Sequence, residues 1–113
     1  MTIAPTILDA EAQVTIATWA SMGADDDGSP VRYGGAADRT VQVFGTFGGT
    51  TVGMQGSLDG TNWVALTDAQ GNTIEFTAAG LEAITELVRF IRPVTVGGTG
   101  VDVTVMLLMR RTI

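Results

Sequence analysis

The chain has 113 residues and a formal net charge of −6, it contains neither Cys nor His, and its six cations are all arginines. A chain of this length is expected to form one domain and can bury roughly two thirds of the surface that its unfolded form exposes. The missing residue types exclude disulfides, thiolate chemistry and histidine-based acid–base or metal chemistry. The acidic balance argues against a nucleic-acid partner, which requires a basic surface.

The first residues are predicted to form an extended arm, 1–12, ahead of a single domain over 13–113. The arm contains Pro5 but neither a basic start nor a long apolar run. The sequence therefore predicts no signal peptide, no membrane span and no membrane partner.

Short β-rich runs separated by Gly and Asp predict an all-β fold, an antiparallel jelly-roll-like β-sandwich of seven or eight strands with one short helix. The alternation is clearest where Val41 and Val43 share one side of a strand and Thr40 and Gln42 share the other. The predicted strands are Gln13–Ala20, Thr40–Phe47, Thr51–Gln55, Trp63–Thr67, Thr73–Thr77, Val88–Val96 and Val101–Arg111. The residues predicted to be buried are Val41, Val43, Met54, Trp63, Phe76, Phe90, Val103 and Val105.

The acidic run DDDGSPV, Asp25–Val31, has the composition of a calcium loop but not its spacing. An EF-hand requires a bidentate Glu at the twelfth position, and the twelfth residue from Asp25 is Ala36. An irregular calcium site is one hypothesis. A solvated acidic loop is the favoured one, because three adjacent carboxylates repel one another and stay in water.

The stretch QGSLDGTNWVALTD, Gln55–Asp68, predicts a hairpin turn at Asp59-Gly60. Asp bonds its own backbone in such a turn, and Gly adopts the positive φ that the turn demands. Trp63 would then begin the return strand and pack into the core. An exposed binding role for Trp63 is the alternative.

The segment AAGLEAITEL predicts the short helix, around Leu81–Leu87, because Leu81, Ile84 and either Leu87 or Val88 lie on one helical stripe. The next segment carries Arg89 and Arg92, which either contact anions or, as we favour, brace acidic loops of the same fold. Pro93 removes a backbone donor and predicts a bulge or a sheet edge.

Catalytic residue patterns are missing from the sequence. Ser21, Ser29 and Ser57 have neither His nor Lys to activate them. Glu75 and Asp102 stand in ordinary strand and turn positions, and the Gly-rich runs TFGGTT and TVGGTG lack the Lys and the helix of a phosphate loop. We expect a non-enzymatic protein without a metal or a cofactor.

The last predicted strand is apolar on both faces, with Met106 and Leu108 opposite the face that carries Val103 and Val105. Such a strand is either central and covered, or covered by another subunit. The apolar residues of the N-terminal arm also need cover. The hypothetical interface residues are Ile3, Ile7, Leu8, Met106 and Leu108.

Three motifs together resemble small β-rich virion proteins of tailed bacteriophages. They are DRTVQV at Asp38–Val43, GTFGG at Gly45–Gly49 and GSLDGTNW at Gly56–Trp63, and the resemblance covers most of the chain after Ser29. It implies a virion structural protein, above all a capsid decoration protein that binds and stabilises capsid subunits. The virion would be its location, after assembly in the host cytoplasm.

The C-terminal half also resembles discoidin-like, galactose-binding-type jelly rolls, in which a turn of the S-x-D-G-x-x-W kind is followed later by an aromatic-x-Arg strand. The matching residues are Ser57, Asp59, Gly60 and Trp63, and then Phe90 and Arg92.

The phage resemblance implies the major capsid protein or other virion subunits as partners, together with further copies of the chain. We expect a trimer, because a symmetric oligomer would match a symmetry axis of a capsid. A phage tail component or a carbohydrate-binding, adhesive module is the alternative. The aromatic platforms for a sugar would be Trp19, Tyr33 and Trp63.

Overall fold

A computed structural model describes residues 1–32, 36 and 38–111 of the chain, and these form twelve β-strands and no helix. The strands are β1 (Thr2–Ile3), β2 (Thr6–Glu11), β3 (Val14–Met22), β4 (Asp27–Gly28), β5 (Val31–Arg32), β6 (Asp38–Thr46), β7 (Thr51–Ser57), β8 (Val64–Ala65), β9 (Glu75–Phe76), β10 (Gly80–Ala83), β11 (Phe90–Val96) and β12 (Asp102–Arg110).

The strands form two sheets. A five-stranded sheet has the order β10-β6-β12-β3-β2, and a seven-stranded sheet has the order β1-β4-β11-β7-β8, with β5 paired to β11 and β9 paired to β7. The pair of β1 and β4 is parallel, and the other pairs are antiparallel. The predicted all-β sandwich is confirmed. The predicted number of seven or eight strands is too low, because five of the twelve strands are only two residues long and leave no readable period in the sequence.

A single hydrophobic core lies between the inner faces of the two sheets. Trp19 is its largest member and is wholly buried, with Nε1 donating to the carbonyl of Ser29 at 3.0 Å. Gly28 crosses directly over this ring, where a Cβ would lie 2.6 Å from Nε1. Further core residues are Ala17, Val41, Val43, Val52, Met54, Leu66, Ile74, Ile91, Val103, Val105, Leu107 and Met109.

The predicted helix around Leu81–Leu87 is wrong. Residues Gly80–Ala83 form an edge strand that pairs with β6, with Leu81 opposite Gln42. The supposed helical stripe is divided, because Ile84 is buried while Leu81 and Leu87 are exposed. Pairing with β6 satisfies the backbone groups that a short helix would otherwise have to satisfy alone.

Two of the eight residues predicted to be buried are not. Trp63 and Phe90 are only half-buried, whereas the other six are in the core. Phe90 lies on the same side of β11 as Arg92, and Ile91 takes the inward position instead. A period of two leaves the choice between the two faces of such a strand open.

Pro93 neither bulges the strand nor lies at a sheet edge. Strand β11 is interior, and its register with β7 runs without a break past the pair of Pro93 and Met54. On its other side β11 pairs first with β5 and then with β4. Pro93 falls between these two short partners, where a ladder donor is not required.

The predicted N-terminal arm, 1–12, is extended and contributes strands to both sheets. β1 pairs with β4 in the seven-stranded sheet, and β2 forms an edge of the five-stranded sheet beside β3. Among the described residues no helix is long and apolar enough to cross a membrane.

Candidate functional site

The outer face of the five-stranded sheet is the first candidate site, and the strand register determines its composition. One row across the sheet runs from Leu8 through Ile16 and Leu108 to Thr40. The neighbouring row contains Thr6, Thr18, Met106, Gln42 and Leu81. We call the surface formed by Leu8, Ile16, Leu81, Met106 and Leu108 the apolar outer face.

Charged side chains are absent from these two rows of described residues. A shallow depression of about 280 Å³ lies between Ile16, Leu81, Met106 and Leu108. Leu8 is 57% exposed and Leu81 is 63% exposed, so each leaves most of its apolar surface in water. Contiguous open apolar surface of this kind is typical of protein–protein contact sites.

An ion pair closes one end of the apolar outer face. Arg110 on β12 lies opposite Asp38 on β6, and its Nε donates to Asp38 Oδ2 at 2.9 Å. Both side chains are exposed, so the pair contributes at most about 1 kcal/mol to stability. The pair therefore contributes little to stability, and it marks the polar border of the apolar outer face.

The structure brings together three of the five residues predicted to form an interface. Leu8, Met106 and Leu108 share the apolar outer face. Ile3 lies in the other sheet and packs against the core. Ile7 pairs with buried Ala17, on the opposite face of edge strand β2, and is 43% exposed.

Two members of the apolar outer face, Ile16 and Leu81, were not predicted from the sequence. Leu81 was assigned to a helix, which obscured its outward position on β10. Ile16 could have been found, because β3 is apolar at alternating positions on both of its faces, with Val14 and Ile16 opposite Ala17 and Trp19.

The carboxylates of the acidic run near Asp25 accept hydrogen bonds from the protein's own groups. The amide of Gly97 donates to Asp25 at 2.8 Å, and the amide of Gly23 donates to Asp26 at 2.7 Å. Asp27 forms an ion pair with Arg92 at 3.4 Å. No group of three or more metal-ligating side chains occurs in the described part of the chain. Arg92 thus braces an acidic loop, as favoured from the sequence for the pair of arginines, whereas Arg89 stacks on the ring of Phe90.

The predicted hairpin joins β7 to β8, and its turn has the expected chemistry. Gly60 has φ +79°. Asp59 Oδ1 accepts from the amides of Thr61 and Asn62, both at 2.9 Å, and from Ser57 Oγ at 2.8 Å. These bonds, those from the amides of Asn62 and Thr61 above all, hold the pKa of Asp59 far below its usual range. The loop therefore keeps a full negative charge at neutral pH.

Trp63 lies outside the core, on the outer side of the seven-stranded sheet. Leu66 points inward, and alternation along the return strand turns Trp63 outward. The guanidinium of Arg92 lies 4.2 Å from the centroid of the Trp63 ring, and Arg92 Nε donates to Gln55 Oε1 at 2.9 Å. Stacking on a cation suits a ring that is half in water.

The remaining sequence candidates do not converge on a reactive site. Glu75 and Asp102 lie on strands of different sheets. The hydroxyl of Ser57 donates a hydrogen bond to Asp59 within the hairpin turn. Trp19, considered as a sugar platform, is buried, and Tyr33 lies outside the described residues.

No family model and no curated protein matches the chain. Among solved structures, the SPBc2 prophage-derived protein YomS matches 85% of this chain and 93% of its own, with a TM-score of 0.66 and 13% identity. The two proteins share a fold. The resemblance to a phage protein that the sequence indicates is confirmed in this sense, and at 13% identity it extends to the fold alone.

Two further structures match with much lower scores. KdgF from Halomonas sp. covers 95% of this chain and 87% of its own at 8% identity, with a TM-score of 0.37. CsCBM6-3 from Clostridium stercorarium, in complex with cellobiose, covers 96% and 82% at 16% identity, with a TM-score of 0.36. TM-scores this low do not establish a common fold.

Proposed function

We propose that the chain is a non-enzymatic structural protein of a tailed-phage virion, and specifically a decoration protein that binds and stabilises capsid subunits. The observation that carries the proposal is the apolar outer face, which the described residues form without a charged side chain and leave open. The fold shared with a prophage-derived protein supports the phage context.

Decoration needs a rigid module, an adhesive face and many copies, and it needs no catalytic group. Many copies on one particle reinforce one another, so each contact can be modest. The net charge of −6 suits a cationic surface on the partner, because opposite potentials speed and orient docking.

The apolar outer face also supports self-association of the free chain. Closed symmetry repeats the same buried contact in every copy, and it leaves no apolar face in water. The proposed homo-oligomer is a trimer, whose three-fold axis would coincide with a three-fold position of a capsid.

Quantitative mass spectrometry of purified particles tests the proposal. Particles should contain the chain at many copies each, and heads separated from tails should retain it. Recovery with the tails alone would establish the alternative, a tail component. Absence from both fractions would falsify the proposal of a virion protein.

A carbohydrate-binding, adhesive function is the second candidate, and the position of Trp63 favours it. The ring is half-exposed, and the arginine that lies over it, Arg92, is hydrogen-bonded to Gln55 and Asp27. A glycan array with the wild-type chain and a Trp63→Ala variant tests this function. Binding that disappears in the variant would support it, and the absence of any bound glycan would contradict it.

A further inference from the structure

A second open apolar surface lies at the hairpin loop, away from the apolar outer face. It is a groove of about 560 Å³ between loop residues 57–62 and the segment 86–88. Leu58, Val64 and Leu87 line it and are 69%, 64% and 62% exposed. The groove shares no lining residue with the depression on the apolar outer face.

The floor of the groove is closely packed. Gly56 lies there on β7, where a Cβ would be 2.7 Å from Leu66 Cδ2 and 2.8 Å from Val88 Cγ2. The absence of a side chain lets Val88 pack directly onto the strand. The groove is therefore formed by the fold itself, as binding sites usually are.

Both walls are held by hydrogen bonds. On one side, the hydroxyl of Ser57 accepts from the amide of Gly60 at 2.9 Å while it donates to Asp59. On the other, buried Arg39 donates from Nη1 to the carbonyl of Glu86 at 3.3 Å, and the amide of Thr67 donates to Glu86 Oε1 at 2.8 Å. A groove with fixed walls loses little conformational entropy when it is filled.

Two acidic residues line the groove, Asp59 from the hairpin loop and Glu86 from the segment 86–88. The Glu86 carboxylate also accepts from Thr67, at Oε1 from the amide and at Oε2 from the hydroxyl. Partial burial raises the pKa of Glu86, but hydrogen bonds from the Thr67 hydroxyl and amide outweigh it, and the pKa lies below its usual value. Both groups are therefore ionised at neutral pH. Asp59 Oδ2 accepts only from Asn62 among the described residues, so it retains lone pairs that face solvent.

The described lining of the groove contains no cation. Arg89, the next residue along the chain, stacks on Phe90 at 5.1 Å from the ring centroid and does not line the groove. The surface thus combines apolar walls with two carboxylates, and buried Arg39 bonds to the Glu86 carbonyl without lining the groove.

We propose that this acid-rimmed groove, formed by Leu58, Val64, Leu87, Asp59 and Glu86, binds a segment of a partner protein that carries an aliphatic side chain between two basic residues. The aliphatic side chain fills the groove against the exposed leucines and valine. The basic residues pair with the two rim carboxylates. The proposal concerns a second contact and does not rest on the function of the apolar outer face.

Nuclear magnetic resonance titration of the ¹⁵N-labelled chain tests the proposal with three capped peptides. The probe is Gly-Arg-Leu-Arg-Gly, and the two comparison peptides are Gly-Arg-Ser-Arg-Gly and Gly-Glu-Leu-Glu-Gly. The probe should shift the amides of residues 57–64 and 86–88 in a saturable way at millimolar concentration. The serine peptide should bind at least fivefold more weakly, and the acidic peptide should cause no saturable shift.

Matched variants assign the binding to the groove. Leu87→Ser should weaken probe binding at least threefold, whereas Leu81→Ser, at 63% exposure against 62%, should leave it unchanged. Equal shifts with the acidic peptide would overturn the role of the rim carboxylates. Equal losses in the two variants, or no saturable shift with the probe, would overturn the groove as the site. Each result leaves the particle content of the chain, and hence the proposed virion function, as a separate question.

Discussion

Removal of the two most exposed leucines of the apolar outer face should separate assembly from folding. Leu8 and Leu81 lie on the edge strands β2 and β10, at opposite margins of the sheet, and are 57% and 63% exposed. The folded monomer gains little from either side chain. Replacing both with Ser should therefore change the free energy of unfolding by less than about 1 kcal/mol.

The same double variant should weaken association strongly. Full burial of a leucine is worth about 1.5–3 kcal/mol, so covering the open part of each side chain contributes roughly 1–2 kcal/mol. The two together give about 2–4 kcal/mol per copy, which corresponds to a roughly 30-fold or larger loss in the association constant. Every further copy in a closed oligomer multiplies this effect.

Analytical ultracentrifugation over a concentration series, with thermal unfolding in parallel, measures both quantities. The wild type should sediment as an oligomer and the Leu8→Ser, Leu81→Ser variant as a monomer, with nearly equal melting temperatures. Leu87→Ser is the matched control, because it is equally exposed but lies in the acid-rimmed groove. A wild type that is monomeric at high concentration, or a variant that associates as the wild type does, would show that the apolar outer face does not mediate association.

Three further predictions concern the fold and the hairpin. Gly28→Ala should destabilise the protein by about 1–3 kcal/mol in denaturant unfolding, because its Cβ would lie 2.6 Å from Trp19 Nε1. Gly53→Ala is the control and should not destabilise the protein in this way, because its Cβ would meet only ordinary van der Waals contacts. Equal losses of stability in the two variants would contradict this explanation. Because folding lowers the pKa of Asp59, its charge stabilises the fold above the unfolded pKa, near 4, and this contribution is lost as pH falls through the folded value. Asp59→Asn should therefore lower the melting temperature at pH 7 and lower it less at pH 2.5. An equal decrease in melting temperature at both pH values would contradict this role of the Asp59 charge. Trp63→Phe should abolish most acrylamide quenching of the emission, since Trp19 is buried, and unchanged quenching would show that Trp63 is not the accessible ring.

Alternation along the chain predicted the main sheet strands, because a strand with one buried face shows its period directly. Val41 and Val43 on β6, and Val103 and Val105 on β12, are buried as predicted. The hairpin at Asp59-Gly60 was also predictable, since the turn chemistry is local.

The failures occur where local patterns are compatible with two arrangements. Leu81, Ile84 and Leu87 fit a helical stripe, and only the open edge of β6 decides for a strand there. Trp63 and Phe90 are aromatic and fit a core, but the register of their strands turns them outward, where they stack on arginines. Pairing between strands that are distant in the sequence determines both arrangements, and a local sequence pattern does not reveal such pairing.

The apolar outer face was only half-predictable for the same reason. Met106 and Leu108 were identified because one strand is apolar on both sides. Their neighbours on the face come from strands far away in sequence, and Ile16 and Leu81 join them only through the sheet register.

Cryo-electron microscopy of particles assembled with and without the chain tests whether the chain decorates the head through its apolar outer face. We expect additional density at repeated, symmetry-related positions on the head, each copy with the apolar outer face turned toward a neighbouring copy or toward the capsid shell. Identical maps from the two preparations, or bound copies whose apolar outer face remains open to solvent, would contradict it.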